Sequence, residues 1–139
     1  MAGAIITTAT KMKSGITQYR TTWISDAAGS VSGSTFIVKT GTIIAVEFTP
    51  GVGLTQPDDL YDLDCLDNLG ISVFDNGAGA TIGANLSNAI SQHFVPATGL
   101  AGSTVYRRWL KGGTLQPTVV NAGDTNSGVI DIYVVDGML

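Results

Sequence analysis

Short runs of β-branched and aromatic residues recur along this chain, and turn residues separate them. This spacing limits the fold more than any other feature of the sequence. The runs occupy residues 16–25, 35–39, 42–48, 60–66, 104–110 and 129–135. The pattern predicts an all-β protein, namely an antiparallel β-sandwich or jelly roll of about eight strands with at most one short helix.

Alternation of apolar and polar residues assigns faces within three of these runs. The clearest case is LYDLDCL at residues 60–66, where Asp62 and Asp64 point away from the apolar face. The residues expected to share one face of a strand are Tyr61, Leu63 and Cys65 in this run, Tyr19, Thr21 and Trp23 in the first, and Ile44, Val46 and Phe48 in the third. We interpret Cys65 as a buried small hydrophobe with no nucleophilic role.

Turn residues predict two hairpins. The segment DNLG at residues 67–70 joins the run at 60–66 to ISVF at 71–74. Near the end of the chain, a polar segment joins TLQPTVVN at 114–121 to VIDIYVV at 129–135. Pro117 marks the first of these two strands as an edge or bulged strand, because proline cannot donate to a ladder.

A glycine pattern, G-x-G-x-x-x-G, lies within residues 75–86 and precedes a candidate short helix at 84–94. A dinucleotide-binding fold would need repeated β-α-β crossovers and an acidic residue about 20 positions after the glycines. The chain offers a single helical candidate, and no Asp or Glu occurs between Asp75 and Asp124. We therefore interpret residues 75–86 as a turn-rich loop, and the sequence implies no cofactor.

Catalytic and metal-binding chemistry find little support in the residue pattern. The one histidine, His93, has no acidic neighbour in sequence and is expected on the surface or in a loop, so we expect no enzyme. Acidic residues cluster between Asp58 and Asp67 without an EF-hand pattern. A solvated acidic face and a calcium site at the turns both remain open for this cluster.

Charge is sparse and unevenly distributed. Charged residues make up 13% of the chain, about half the usual share, and the formal net charge is −4. Six of the eleven acidic residues lie between 58 and 75, whereas Arg107, Arg108 and Lys111 surround Trp109. The acidic balance argues against nucleic-acid binding. Separate charged patches instead suit a protein partner or a second copy of the chain.

The N-terminal segment differs from the rest of the chain. Residues 1–15 are uncharged through residue 10, and they lack the order of basic and apolar residues that a signal peptide has. With no apolar run long enough to span a bilayer, we expect no membrane partner. We predict an arm at 1–15, either disordered or added to a neighbour's sheet edge, before a single domain at 16–139.

Several segments resemble a family of small structural proteins of tailed bacteriophages, of the capsid decoration or cement type. The resemblance covers residues 16–135 and rests on W-x-S-D-A-x-G at 23–29, Y-D-x-x-x-L-D-x-x-G at 61–70 and the closing N-A-G segment. It implies a virion protein, made in the host cytoplasm, that binds the major capsid protein on the outside of the expanded shell. It also implies a dimer or trimer and no active site.

We expect the shell contacts to come from the N-terminal segment and from the basic, Trp-containing run. The predicted interface residues are Ile5, Ile6, Lys11, Lys13, Arg107, Arg108 and Trp109. Two alternatives stay open. One is a carbohydrate- or receptor-binding module of a tail or fibre that uses Trp23 or Trp109 as a sugar platform, and the other is a head–tail or tail-tube subunit.

Overall fold

The computed structural model describes residues 2–33, 35–74, 83, 85–94, 97–98, 106–107 and 109–136. It confirms the predicted fold class, because eight antiparallel strands form one curled sheet that resembles a β-sandwich or jelly roll. The strands are β1 (Ala4–Lys11), β2 (Ile16–Ile24), β3 (Val31–Ser32), β4 (Phe36–Pro50), β5 (Asp62–Asp67), β6 (Gln92–Phe94), β7 (Ala97–Thr98), β8 (Tyr106–Arg107), β9 (Trp109–Val120) and β10 (Ser127–Asp136).

The strand order in the main sheet is β1-β2-β10-β4-β9-β3, while β5 adds to β9, β6 adds to β4, and β7 pairs with β8 in a small separate sheet. The long strand β4 belongs to both halves of the sheet, since residues 41–50 pair with β10 and residues 36–42 pair with β9. The first half of β4 reaches back to β2, where the rings of Tyr19 and Phe36 lie 5.6 Å apart.

The residues predicted to share one face of β2 and of β5 do so, and both faces lie in the core. Tyr19, Thr21 and Trp23 are buried on β2, and Leu63 and Cys65 are buried on β5 directly after the buried Tyr61. The rings of Trp23 and Tyr61 meet across the core with centroids 5.8 Å apart. Side chains from both halves of the sheet therefore share one core.

The prediction of two strands at 35–39 and 42–48 is wrong, because residues 36–50 form the single strand β4. Its pairing with β10 shifts by one residue, so that Tyr133 lies opposite Ala45 while Val134 lies opposite Ile43. The extra residue, Ile44, moves the alternation by one position. Ile43 is consequently buried with Val46 and Phe48, in the place predicted for Ile44.

The second predicted hairpin is also wrong, since β9 and β10 do not pair with each other but flank β4 on opposite sides. Their connection crosses between the two halves of the sheet, where Ala122 N donates to Gly29 O (2.9 Å) and Asp58 N donates to Ala122 O (2.9 Å). These tertiary hydrogen bonds replace the local turn that the sequence indicated.

Pro117 does not mark an edge, because β9 has β3 on one side of it and β5 on the other. Gly33 N donates to Pro117 O (2.9 Å), whereas proline has no N–H to return to Gly33. The side-chain amide of Gln116 donates to Gly33 O (3.1 Å) and supplies the missing hydrogen bond.

Two local predictions fail between residues 60 and 94. The candidate helix at 84–94 is wrong, since the described residues 85–94 form bends and then β6. Asn85 has a left-handed φ of 53°, and Asn85 N donates to Asp62 Oδ1 (2.8 Å), which holds this segment on β5. The turn at 67–70 is present, but the return strand at 71–74 is reduced to a bridge between Leu66 and Ser72.

Part of the predicted N-terminal arm forms a strand in the sheet of its own chain. Residues 4–11 form β1 and pair with β2 of the same chain, in continuous register from Ala4–Ile24 to Lys11–Thr17. The tight connection that contains Lys13–Gly15 lets the chain fold back at once. The uncharged, β-prone sequence thus finds its strand partner inside its own sheet.

Candidate interaction surface

The outer face of the sheet carries a row of polar side chains that runs across five strands. The strand registers place the row's members side by side, in the order Thr8, Arg20, Asp131, Glu47 and His93. Two carboxylates therefore lie on neighbouring strands with a basic side chain on either flank. Residue pairs of this kind are the stabilising units of a sheet.

Asp131 is the fixed centre of this row. Only 3% of it is exposed, and its two carboxylate oxygens accept hydrogen bonds of 2.8 Å each from Arg20. Gln18 donates a further bond to Asp131 (3.0 Å). The hydrogen bond and charge of Asp131 raise the pKa of Arg20. Burial, and then the charge of Asp131, raise the pKa of Tyr133 beside it.

The other end of the row is looser. His93 lies on β6 with its side chain 62% exposed, which agrees with the predicted surface position. Its Nδ1 atom is 3.8 Å from a carboxylate oxygen of Glu47, on the neighbouring strand β4. Glu47 and His93 are far apart in sequence, and no local pattern could have paired them. The row holds strands together and offers no activated nucleophile.

One end of the same face is apolar. Ile6 on β1 and Ile24 on β2 are exposed, and together with Ala4, Thr22 and Trp23 they line a shallow recess of about 100 Å³. Ile24 pairs with Ser127 of β10, and Gly51 N donates to Ser127 O (2.8 Å). The turn after Gly51 thus ends this row.

That turn, which contains the short helix Gly53–Thr55, adds two further exposed side chains, Val52 and Leu54. Val52 is 82% exposed, and Leu54 projects fully into solvent. We call Ile6, Ile24, Val52 and Leu54 the apolar end patch. Exposed apolar groups that lie together mark interaction sites more often than scattered ones do.

The acidic cluster at Asp58–Asp67 serves local folding. Asp67 Oδ1 accepts hydrogen bonds from Leu69 N (2.8 Å) and Ile71 N (2.9 Å), and it closes the turn. Asp62 holds Asn85 N and, through its other oxygen, the amide of Asn121 (2.9 Å). Among the described residues, no three His, Cys, Asp or Glu side chains converge to hold a metal ion.

The structure separates the predicted interface residues. Ile5 is partly buried and packs against the core, where its side chain fills the space that a Cβ on Gly33 would need. Ile6 and Lys11 are exposed on β1, and Lys13 is exposed in the following turn. Arg107 lies on β8 and Trp109 opposite Thr42, but their side chains and all of Arg108 lie outside the described residues.

Two predicted roles of buried residues have clear outcomes. Cys65 is buried as predicted, and burial raises the pKa of its thiol. Trp23 cannot serve as a sugar platform, because it is 1% exposed and its ring packs on Tyr61 in the core. The carbohydrate-binding alternative therefore rests on Trp109.

Sequence reasoning missed most of the apolar end patch. Ile24 had a usable signal, because it alternates with the core residue Trp23 and so belongs on the outer face. Val52 and Leu54 had a weaker one, since both are large apolar residues within a glycine-containing turn. Their place at the same end of the sheet as Ile24 depends on the β2–β10–β4 order, which the predicted hairpins did not contain.

Comparison with models of known protein families gives no match to this chain, and comparison with curated proteins gives no relative. Within the part of the chain that the structure describes, no helix is long and apolar enough to cross a membrane.

Proposed function

We propose that this chain is a virion structural protein that decorates the outer surface of a tailed-phage capsid and bridges its major capsid protein subunits. The observation that carries the proposal is the apolar end patch, in which exposed apolar residues of two strands and of a turn lie at one end of the sheet. Burial of apolar surface stabilises a contact by about 25 cal/mol per Å². A patch of a few side chains suits a weak contact that is repeated many times over a shell.

The sequence resemblance and the shape of the surface support the same class of protein. Asp131, at the centre of the polar row, is engaged in strand-to-strand hydrogen bonds, and Ile6 and Ile24 of the apolar end patch lie on the same face of the sheet. Lys13, Arg107, Arg108 and Trp109 stay predicted contacts. Lys13 and the backbone of Trp109 lie at the opposite end of the sheet from the apolar end patch, since Lys11 pairs with Thr17 and Trp109 with Thr42, both beside Val134 and Val135 of β10. In this proposal they supply a separate, charged contact.

The test is co-sedimentation of the purified protein with expanded, empty capsids of its own phage, with the bound copies counted per capsid subunit. We expect saturation at a fixed ratio and a raised melting temperature of the shell. Absence of binding at micromolar concentration would overturn the proposal.

A double variant locates the contact. Val52→Ser with Leu54→Ser should lower shell occupancy at least tenfold while the melting temperature of the protein itself stays constant, because both side chains already lie in water. The matched control is Ile37→Ser, which removes an equally exposed apolar side chain from the other half of the sheet. Equal losses of shell occupancy in the double variant and in Ile37→Ser would show that the apolar end patch is not the contact.

A further inference from the structure

β1 is an edge strand of the main sheet, because β2 pairs with one side of it and no strand among the described residues pairs with the other. Met12 N donates to Ile16 O (2.7 Å), the position that continues the β1–β2 register. In an antiparallel ladder hydrogen-bonded pairs alternate with non-bonded ones. The even-numbered residues of β1 therefore bond to β2, and the backbone N–H and C=O groups of Ile5, Thr7, Ala9 and Lys11 point outward.

This edge lacks the features by which proteins usually block edge-to-edge pairing. It has no proline and no bulge, and its first charged residue, Lys11, stands at its end. β3 lies against the inner face of β1, where the side chain of Ile5 lies over Gly33. The backbone of β3 pairs with β9 and not with β1. Thr8, Ala9, Thr10 and Lys11 are exposed.

We propose that β1 pairs antiparallel with β1 of a second copy of this chain, across a two-fold axis at Thr8. This is the register in which every outward group finds a partner, because Ile5 then lies opposite Lys11 and Thr7 opposite Ala9. Thr8 lies opposite its own copy, and cross-strand threonine pairs are favourable. The pairing joins the two sheets into one continuous sheet.

Charge supports this occupant. The two copies of Lys11 lie six residues apart along the strands, about 20 Å, which is beyond the screening length at physiological salt. The connection after β1, which contains Lys13, then lies beside the start of β1 in the second copy, near Gly3. That end of the molecule carries Asp26 and Asp124, in loops joined by a bond from Thr125 N to Asp26 O (3.4 Å). Opposite charges thus meet across the two-fold axis.

Cysteine substitution tests the register. Thr8→Cys should give a disulfide-linked dimer under mild oxidation, because Cβ atoms in a directly opposed pair lie within bonding range. The matched control is Thr10→Cys, which is equally exposed on the same face but opposes Ile6, so its two thiols would lie about 13 Å apart. Cross-linking of both variants at equal rates, or of neither, would overturn the proposal.

Sedimentation in buffer without capsids gives the second measurement. We expect the protein to sediment as a concentration-dependent dimer that weakens with salt, and Thr8→Lys to shift it to monomer by opposing two like charges on the axis. A wild-type monomer up to about 1 mM, or a dimer that Thr8→Lys leaves unchanged, would overturn the inference. This inference goes beyond the shell contact and does not rest on it, since a dimer without shell binding, or shell binding by a monomer, separates the two outcomes.

Discussion

The β5 edge and the β1 edge of the sheet are treated in opposite ways. The outer edge of β5 is covered by the chain itself, since Leu63 N donates to Gly83 O (2.7 Å) and Val73 N donates to Cys65 O (2.8 Å). Tyr61 and Leu86 extend this cover as a bridged pair. The outward backbone groups of β1 have no such cover in the described part of the chain.

The difference shows how sequence determines which edge stays available. The cover on β5 needs a backbone that approaches closely, and glycine at position 83 permits it, since a Cβ there would lie 1.9 Å from Leu63 O. β1 has small and β-branched residues that form a regular strand, and none of the described segments hydrogen-bonds along its outer edge. An exposed regular edge is a site for pairing with another chain.

The largest effect is expected from breaking the cover. Gly83→Ala places a methyl group against the backbone oxygen of Leu63, which cannot move without loss of the bond that Leu63 N makes to Gly83. We expect the free energy of unfolding to fall by about 2–3 kcal/mol in urea titrations.

The control for this variant is Gly70→Ala, in the turn that follows β5. Gly70 has a left-handed φ of 75° with open space where a Cβ would stand, so only the backbone strain applies and the loss should be about 1 kcal/mol. If Gly83→Ala costs no more than this control, the close approach at Gly83 does not hold the β5 edge.

A smaller effect is expected at Tyr61, under the same cover. Its hydroxyl is buried without a hydrogen-bond partner in the structure as described, and burial raises the pKa of Tyr61 to about 12. Tyr61→Phe should therefore increase the free energy of unfolding at pH 7 by about 1 kcal/mol, because an unpaired buried polar group is removed.

The pH dependence of this variant has a defined sign. The pKa of Tyr61 lies above its usual value near 10 in the folded protein, so the neutral phenol favours folding below pH 10 and this contribution is lost as the pH rises toward 12. Unfolding curves at several alkaline pH values should show a steeper loss for the wild type than for Tyr61→Phe. Parallel losses would mean that the pKa of Tyr61 is not raised by folding, and a less stable variant at pH 7 would mean that the hydroxyl is hydrogen-bonded.

The sequence predicted the parts of this fold that depend on local periodicity. The shared faces of Trp23 and Tyr61 with their neighbours followed from alternation, and the turn after β5 followed from the turn residues DNLG. Alternation fails where one residue breaks the period, as Ile44 does in β4. That bulge has no signature in the run TIIAVEF, because its four adjacent apolar residues, at 43–46, fit either face.

Local sequence patterns could not predict which strands distant in sequence pair with each other. The neighbours of β9 and β10 are set by hydrogen bonds between loops distant in sequence, such as Ala122 to Gly29, and a polar connection looks the same whether or not it closes a hairpin. The apolar end patch could not be predicted in full for the same reason. Ile6 was predicted from the N-terminal segment. The turn with Leu54 lies at the same end of the sheet because of a strand order that the sequence did not indicate.

The smallest effect on stability is expected at the uncovered edge, and it completes the comparison. The N–H of Ala9 points away from β2, so Ala9→Pro removes no bond of the native ladder and should change the free energy of unfolding of the monomer by less than about 0.5 kcal/mol. The matched variant is Thr10→Pro. The N–H of Thr10 bonds to β2, and its removal should cost about 2 kcal/mol more than Ala9→Pro does. Urea titrations at low protein concentration compare the two. Equal losses would show that the outward edge of β1 already holds a partner within the chain.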